Sequence, residues 1–395
     1  MQSEILQGIR VVDLTRIVAG PYTTRMLADF GAEVIKVQTA KMATGIESNS
    51  APYFCAWNRN KRSITLDMDY REAREIFLNL VEISDIVVEN FSPRVMPNWG
   101  LDYSALKKSN ESIVMLSMSA AGQTGPWKDF VTYGPTVQSL GGLNYLTSYA
   151  EDAPMGLGYA YADIVSGLYG AFSILAALEH RDRCGQGQHI DLSEYEAVCT
   201  TIGPALMDAF MNHREIVPQG NDDEHELAAP YGCYQCRGED RWCVIAVYTE
   251  DQWQSFQKAL GNPVWAEDKR FSCLAARKAH TEILDSNIDK WTSGQSAEDV
   301  ADRFQQAGIA AGVVQNAEDL ANDPQLAAGD FFTSLNHPVL GEIKTDTYPV
   351  NFKNCGKATW QASPMLGEAN RYVFEELLGM AQTTIQSYFE KGVIA

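Results

Sequence analysis

Histidine and basic residues are scarce in this chain. Six histidines are scattered over 395 residues, and 31 Lys and Arg face 51 Asp and Glu, leaving a net charge of −20. A globally basic nucleic-acid binder is thereby excluded, and a polyanionic ligand would need a local basic pocket. No apolar run approaches the ~18 residues of a membrane span. The start, Met1-Gln2-Ser3-Glu4, lacks the basic and apolar regions of a signal peptide. Ala19-Gly20-Pro21 stands where a dinucleotide fingerprint would follow the first strand, and a Walker loop, a His-Glu-x-x-His and a Gly-x-Ser-x-Gly are all missing. Eight cysteines are dispersed, and Cys233-x-x-Cys236 has no second well-spaced pair. They read as reduced thiols in a cytoplasmic enzyme without a metal site.

What is present alternates strand and helix signals. Strands are expected at 11–14, 33–37, 85–88 and 113–116, with helices at 22–30 (Pro21 at its first position, Gly31 as its stop) and about 70–81. That alternation predicts an α/β fold with a parallel, Rossmann-like sheet. From Asp163 the chain is apolar nearly all round to about His180, as a buried helix would be. A polar, acidic stretch at 212–229 reads as a linker, and the segments 233–236 and 242–248 read as a hairpin. The strand 310–314 completes a smaller α+β unit, and 366–378 reads as an amphipathic tail helix. The domain boundaries expected are 1–205 for the large domain, 206–228 for the linker, 229–325 for the small domain and 326–395 for the return to the large one.

Three features invite chemistry. The loop from Arg16 to Pro21 joins a strand's carboxyl end to a helix start, where free N–H groups favour anions; it is also what any tight βα turn looks like. Asn58-Arg59-Asn60-Lys61-Arg62 is the densest basic cluster, readable as a solvated loop or as a patch that meets phosphates. Asp163 opens the apolar helix after a Gly-rich approach, a position that suits a helix cap or a carboxylate nucleophile.

The runs Gly8 to Leu14, Ala19 to Pro21, Leu27 to Val37, Asn58 to Asp67, Val88 to Phe91, Gly122 to Pro126, Tyr161 to Asp163, Gly185 to Gln188 and Pro364 to Glu368 resemble, in order and spacing, the class III CoA-transferase family of carnitine and formyl-CoA transferases. The resemblance covers nearly the whole chain. It implies a Rossmann-like large domain, a smaller α+β domain and an interlocked-ring dimer, either a homodimer or a heteromer with a homologous subunit. It implies acyl-CoA and carboxylic acid substrates and no permanently bound cofactor. Asp163 would be the nucleophile, passing through a mixed anhydride and an aspartyl-CoA thioester. Val18, Ala19, Leu66, Asn90 and Phe91 would bind CoA, and Tyr53 and Tyr133 would line the acyl pocket. The family's glutamine in the first loop falls at Val18, its glutamate after the second strand at Gln38 and a CoA-contacting arginine at Asn98, which argues against formate and oxalate. Thr132 to Thr136 lacks the histidine of the related racemases. Tyr133 to Gln138 and Leu143 to Thr147 look closest to the succinyl-CoA:benzylsuccinate branch, and Tyr133, Tyr145, Tyr159 and Tyr161 suggest an aromatic or substituted-succinate acceptor. A dicarboxylyl-CoA such as succinyl-CoA is the expected donor. The alternatives are a non-catalytic partner subunit and an acyl-CoA racemase.

Overall fold

The computed structural model describes residues 5–149, 153–214, 216–218, 220–221, 227–350, 352–354 and 359–395. The chain forms two compact units, Met1–Asn144 with Gly156–Arg214 and Ala328–Ala395, and Tyr145–Met155 with Glu215–Ala327. The larger unit is built on β1 (Arg10–Asp13), β2 (Glu33–Gln38), β3 (Arg62–Thr65), β4 (Ile86–Glu89), β5 (Val114–Ser119) and β6 (His189–Ser193). All five pairings among them are parallel, in the order β3-β2-β1-β4-β5-β6. This is a Rossmann-like sheet, and the reversal of order between β1 and β4 opens a crevice at the strands' carboxyl ends.

Both faces of that sheet are covered, so alternate residues are apolar on either side. Val11, Val34, Ile86, Val88, Val114 and Leu116 pack on one face with Leu27, Ile174 and Leu178. These last come from α1 (Ala19–Asp29) and the long helix Tyr161–Cys184. The two helices touch at Gly167, where an added Cβ would come within 3.0 Å of the Ala19 carbonyl oxygen. Val12, Ile35, Val87 and Met115 pack on the other face with Phe77 and Leu80 of the helix Arg71–Glu82 and with Val373, Phe374, Val393 and Ile394 of the tail.

The smaller unit has the antiparallel sheet β7 (Tyr231–Gln235), β8 (Trp242–Ala246) and β9 (Ala310–Val313), with β8 central. Tyr234, Cys243 and Ile245 point to a core completed by Trp253, Phe256, Leu284, Ile288, Val300 and Phe304 from its helices. The hairpin β10 (Phe332–His337) and β11 (Gly341–Asp346) belongs to the larger unit.

Several expectations shift. The first helix begins at Ala19, so Pro21 is its third residue rather than its first; the opening N–H groups have no intrahelical partner, and the ring costs nothing there. The helix Gly203–Asn212 occupies the first part of the stretch expected as linker, and the segment Tyr145–Met155 joins the smaller unit. In the tail, the helix expected at 366–378 starts only at 370, because Gly367 at φ 69° turns the chain first; it continues as a wide helical stretch at Tyr372–Leu377, and a further helix Gln382–Lys391 follows. The 24-residue helix Tyr161–Cys184 is long and apolar enough to match a membrane span, against the expectation of none, yet half of its most apolar stretch is buried in the larger unit.

Candidate active site

The crevice at the switch point is organised from below by a buried carboxylate. Asp13, at the end of β1, accepts hydrogen bonds from the Thr15 N–H (2.8 Å), Thr24 Oγ1 (2.8 Å) and Lys61 Nζ (3.0 Å). Burial pushes its pKa up, but Lys36, Lys61 and the hydrogen bonds from Thr15 together more than offset that and hold it at about 2. The same lysines reach the loop above: Lys36 Nζ donates to the Thr15 carbonyl (2.7 Å) and Lys61 Nζ to the Pro21 carbonyl (3.0 Å).

From across the switch point, the Asn90 side chain clamps Arg16. Its Oδ1 accepts from the Arg16 N–H at 2.8 Å, and its Nδ2 donates to the Arg16 carbonyl at 2.9 Å. The next residue, Ile17, lies at φ 68° and donates its N–H to Glu47 Oε1 at 2.9 Å. A β-branched residue in the left-handed region stores about 1–3 kcal/mol of strain and persists only where its surroundings dictate it. The clamps on both sides of Ile17 supply that constraint.

Asp163 is the third residue of the long helix, not its cap, a position held by Ala160. Its own N–H and that of Ala19, the first residue of α1, lie near the carboxyl and act to lower its pKa. Two helix starts therefore converge on one carboxylate, an arrangement that favours its negative charge. Burial works the other way and dominates, raising the pKa to about 6. At that value most of the group is ionised at neutral pH, with less hydration than an exposed carboxylate.

Asp163 lines a cavity of about 510 Å³ together with Val18, Tyr53, Asn90, Phe91 and Tyr133. A second cavity of about 370 Å³, lined by Leu14, Val37, Leu66, Met68 and Trp99, shares Arg16 and Phe91 with the first. The structure thus gathers five of the expected site residues around Asp163 and puts Leu66 next door. Ala19 lines neither cavity, and its N–H lies near the Asp163 carboxyl. Gln38 lines the second cavity and Asn98 neither. Of the tyrosines expected to crowd the approach, Tyr133 lines the first cavity, Tyr159 and Tyr161 do not, and Tyr145 belongs to the smaller unit.

The basic cluster is neither a solvated loop nor a phosphate patch. Arg59 is buried against Asp29 (2.6 Å) and Asp346 (3.0 Å), and Lys61 against Asp13. Only Arg62 is exposed, and it lies over the Tyr372 ring. Sequence reasoning also missed Lys128, Phe130 and Glu194, which line the first cavity. Glu194 follows β6, a strand of modest apolar character that gave no signal in the sequence.

Known proteins match this chain over nearly its whole length. The family model for CoA-transferase family III matches residues 6–370. A probable CoA-transferase of Mycobacterium tuberculosis is 32% identical over 98% of this chain, and the chain spans half of that protein's length. The succinyl-CoA–D-citramalate CoA-transferase of Chloroflexus aurantiacus is 30% identical over 98% of both chains. The crystal structure of a CAIB/BAIF family protein from Brucella suis superimposes with a TM-score of 0.88 at 30% identity, covering 95% of this chain and all of that one. Sheet order, match length and structural similarity agree, and the chain belongs to CoA-transferase family III.

Proposed function

We propose that the protein moves CoA from an acyl-CoA thioester to a free carboxylate, with Asp163 as the covalent nucleophile. The observation that carries this reading is a mostly buried, ionised carboxylate facing a cavity that adjoins a second, apolar one. CoA would lie across both cavities, its adenine end by Leu66 and its thioester by Asp163, with Val18, Asn90 and Phe91 between. The Asp163 carboxylate attacks the acyl carbon, and the C–S bond breaks to give a mixed anhydride and the CoA thiolate. The thiolate then attacks the aspartyl carbonyl, releasing the first acid and leaving an aspartyl-CoA thioester. The acceptor acid repeats the two steps in reverse. A weak nucleophile suffices because it is held against its electrophile.

The donor is read as a dicarboxylyl-CoA such as succinyl-CoA, in line with the Chloroflexus relative. Tyr53, Phe130 and Tyr133 give the first cavity aromatic walls, and Lys128 adds a cation. Those walls suit an aromatic or substituted-succinate acceptor, as in the benzylsuccinate branch, and the cation suits its second carboxylate. No described histidine lines this cavity, which disfavours a racemase. For assembly, Phe172 (70% exposed), Phe210 (71%) and Met211 (70%) offer an apolar surface to a second copy or a homologous subunit. A concentration-independent monomer in light scattering would remove that pairing.

The deciding experiment is Asp163→Asn. The amide keeps the shape but cannot form the anhydride, so transfer should fall by roughly three orders, or ~4 kcal/mol of transition-state stabilisation. Hydroxylamine should modify the wild-type aspartate in the presence of donor and spare the variant. A folded, fully active Asn variant would end this reading. A mass-spectrometric screen of thioester and acid pairs identifies the substrates; formate or oxalate turning over better than aryl acids would discard the proposed acceptor class.

A further inference from the structure

A second carboxyl group lines the first cavity. Glu194 directly follows β6 at the carboxyl edge of the sheet and begins the helix Glu194–Thr201. It is 8% exposed, and among the described residues no N–H or O–H group donates to it. An acidic side chain with this burial ordinarily has a partner, because an unpaired buried charge is costly. Here it lines the same cavity as Asp163.

We propose that Glu194 is the acid–base group of the reaction, giving a proton to the CoA sulfur as the C–S bond breaks and taking it back when that sulfur attacks. The proposal rests on the CoA-transfer reading above and concerns the sulfur rather than the acyl carbon. In the first step an Asp163 oxygen bonds to the acyl carbon, the sulfur leaves with the C–S electron pair, and the Glu194 proton moves to it. CoA thus leaves as the thiol in place of the free thiolate written above, and the products are the anhydride, CoA thiol and the Glu194 carboxylate. In the second step the carboxylate recovers the proton as the sulfur bonds to the aspartyl carbon and the first acid departs as its carboxylate. No proton is gained or lost over the pair of steps, and the acceptor half repeats them.

The surroundings suit this role. Burial first, and the charge of Asp163 second, raise the Glu194 pKa to about 8. The acid is therefore loaded at neutral pH and is poised near the range of a thiol, where transfer in both directions is efficient. The other titratable groups on the cavity walls are Asp163 on the long helix, Arg16, Tyr53, Lys128 and Tyr133. A neutral Glu194 also spares the entering acid a second fixed negative charge beside Asp163. The same principle keeps a carboxylic acid protonated in other enzymes so that it can donate.

The test compares the wild type with Glu194→Gln and Glu194→Asp, using whichever thioester and acid the wild type turns over. The wild-type kcat should decline above about pH 8 as the acid loses its proton. Glu194→Gln, which cannot exchange a proton, should lose about 10²-fold or more in kcat with little change in KM, and the decline near pH 8 should vanish. Glu194→Asp should restore part of the rate and, with it, a basic limb. Circular dichroism and thermal melting establish that each variant is folded. A Gln variant with wild-type kcat and an unchanged pH profile overturns the proposal while leaving the Asp163 chemistry standing. A Gln variant that raises KM alone overturns it in favour of a substrate-binding role. A wild type that transfers CoA to no acid fails the functional reading itself.

Discussion

Gly134 lies so close to Asp163 that a methyl group on its Cα would overlap Oδ2 of the carboxylate. Its neighbours Tyr133 and Pro135 line the same cavity, so residue 134 fixes where the carboxylate can sit. Gly134→Ala should push the Asp163 side chain out of its present position. We expect transfer to fall at least tenfold and stability by about 1–3 kcal/mol, the usual effect of overpacking. Steady-state rates and a denaturant titration check both; an unchanged rate would show that the site relaxes around the methyl.

The acidity of Asp163 sets a limit at low pH. Its pKa is raised to about 6, and on the proposed mechanism the form that attacks is the deprotonated one. On its acidic side, activity should therefore level off near pH 7, short of the decline expected from Glu194 above about pH 8, and fall by a factor of ten for each unit below 6. Native Asp163 holds its proton more tightly than the unfolded chain does, so the group's contribution to stability is fully present below the unfolded value and declines as pH rises from 3.8 through 6. Rate and stability should thus move in opposite directions over that window. Parallel kcat/KM and urea-unfolding series against pH measure this, and Asp163→Asn should flatten its part of the stability trend.

The Asn90 clamp should matter more than its single side chain suggests. Asn90→Ala leaves the Arg16 N–H and carbonyl unpaired in a half-buried loop, at a cost of about 1–3 kcal/mol for the lost pair. On the proposed reading, the loop's altered course raises KM for the thioester more than it lowers kcat. Asn90→Asp keeps the acceptor and loses the donor, so its effect should be intermediate. Initial-rate kinetics with varied thioester separates these outcomes.

Ile17 offers a trade in the other direction. Ile17→Gly removes the penalty of a positive φ, worth about 1–3 kcal/mol, against the lost packing and greater unfolded-state freedom of glycine. The net stability change should be small or favourable, while transfer slows because the loop that carries the Ala19 N–H is no longer forced into one course. A melting temperature reduced by many degrees would mean that the side chain's packing outweighs the strain.

The sheet and the main helices were legible because their signals are local. Val11 to Leu14, Glu33 to Val37 and Asp85 to Val88 are short apolar runs between turn residues, and the structure has strands there within a residue or two. Asn58 to Arg62 misled because charge in a sequence says nothing about partners. Asp13, Asp29 and Asp346 bury those cations, and all three lie more than 25 residues from the cation they pair with. Asp163 was legible through the family resemblance and the helix that follows it. Glu194 was not: it depends on β6, whose His189, Asp191 and Ser193 break the apolar pattern of a central strand because β6 is the sheet's edge. Tyr159 and Tyr161 show the converse error, since nearness in sequence to Asp163 did not put them on the cavity wall.

The outer side of β3 has a bearing on the order in which the protein is completed during synthesis. The Thr65 N–H donates to Asn370, Ser63 accepts from the Ala369 N–H, and the Asp67 N–H donates to the Val393 carbonyl. This strand is finished by residues about 300 positions later, after the whole smaller unit has been made. At ribosomal rates of ~5–20 residues per second, the nascent large unit carries an open, pairing-competent strand edge for on the order of tens of seconds. A chaperone that binds extended edges has its opportunity in that interval, and ribosome-bound chains truncated before Ala369 should be its best clients.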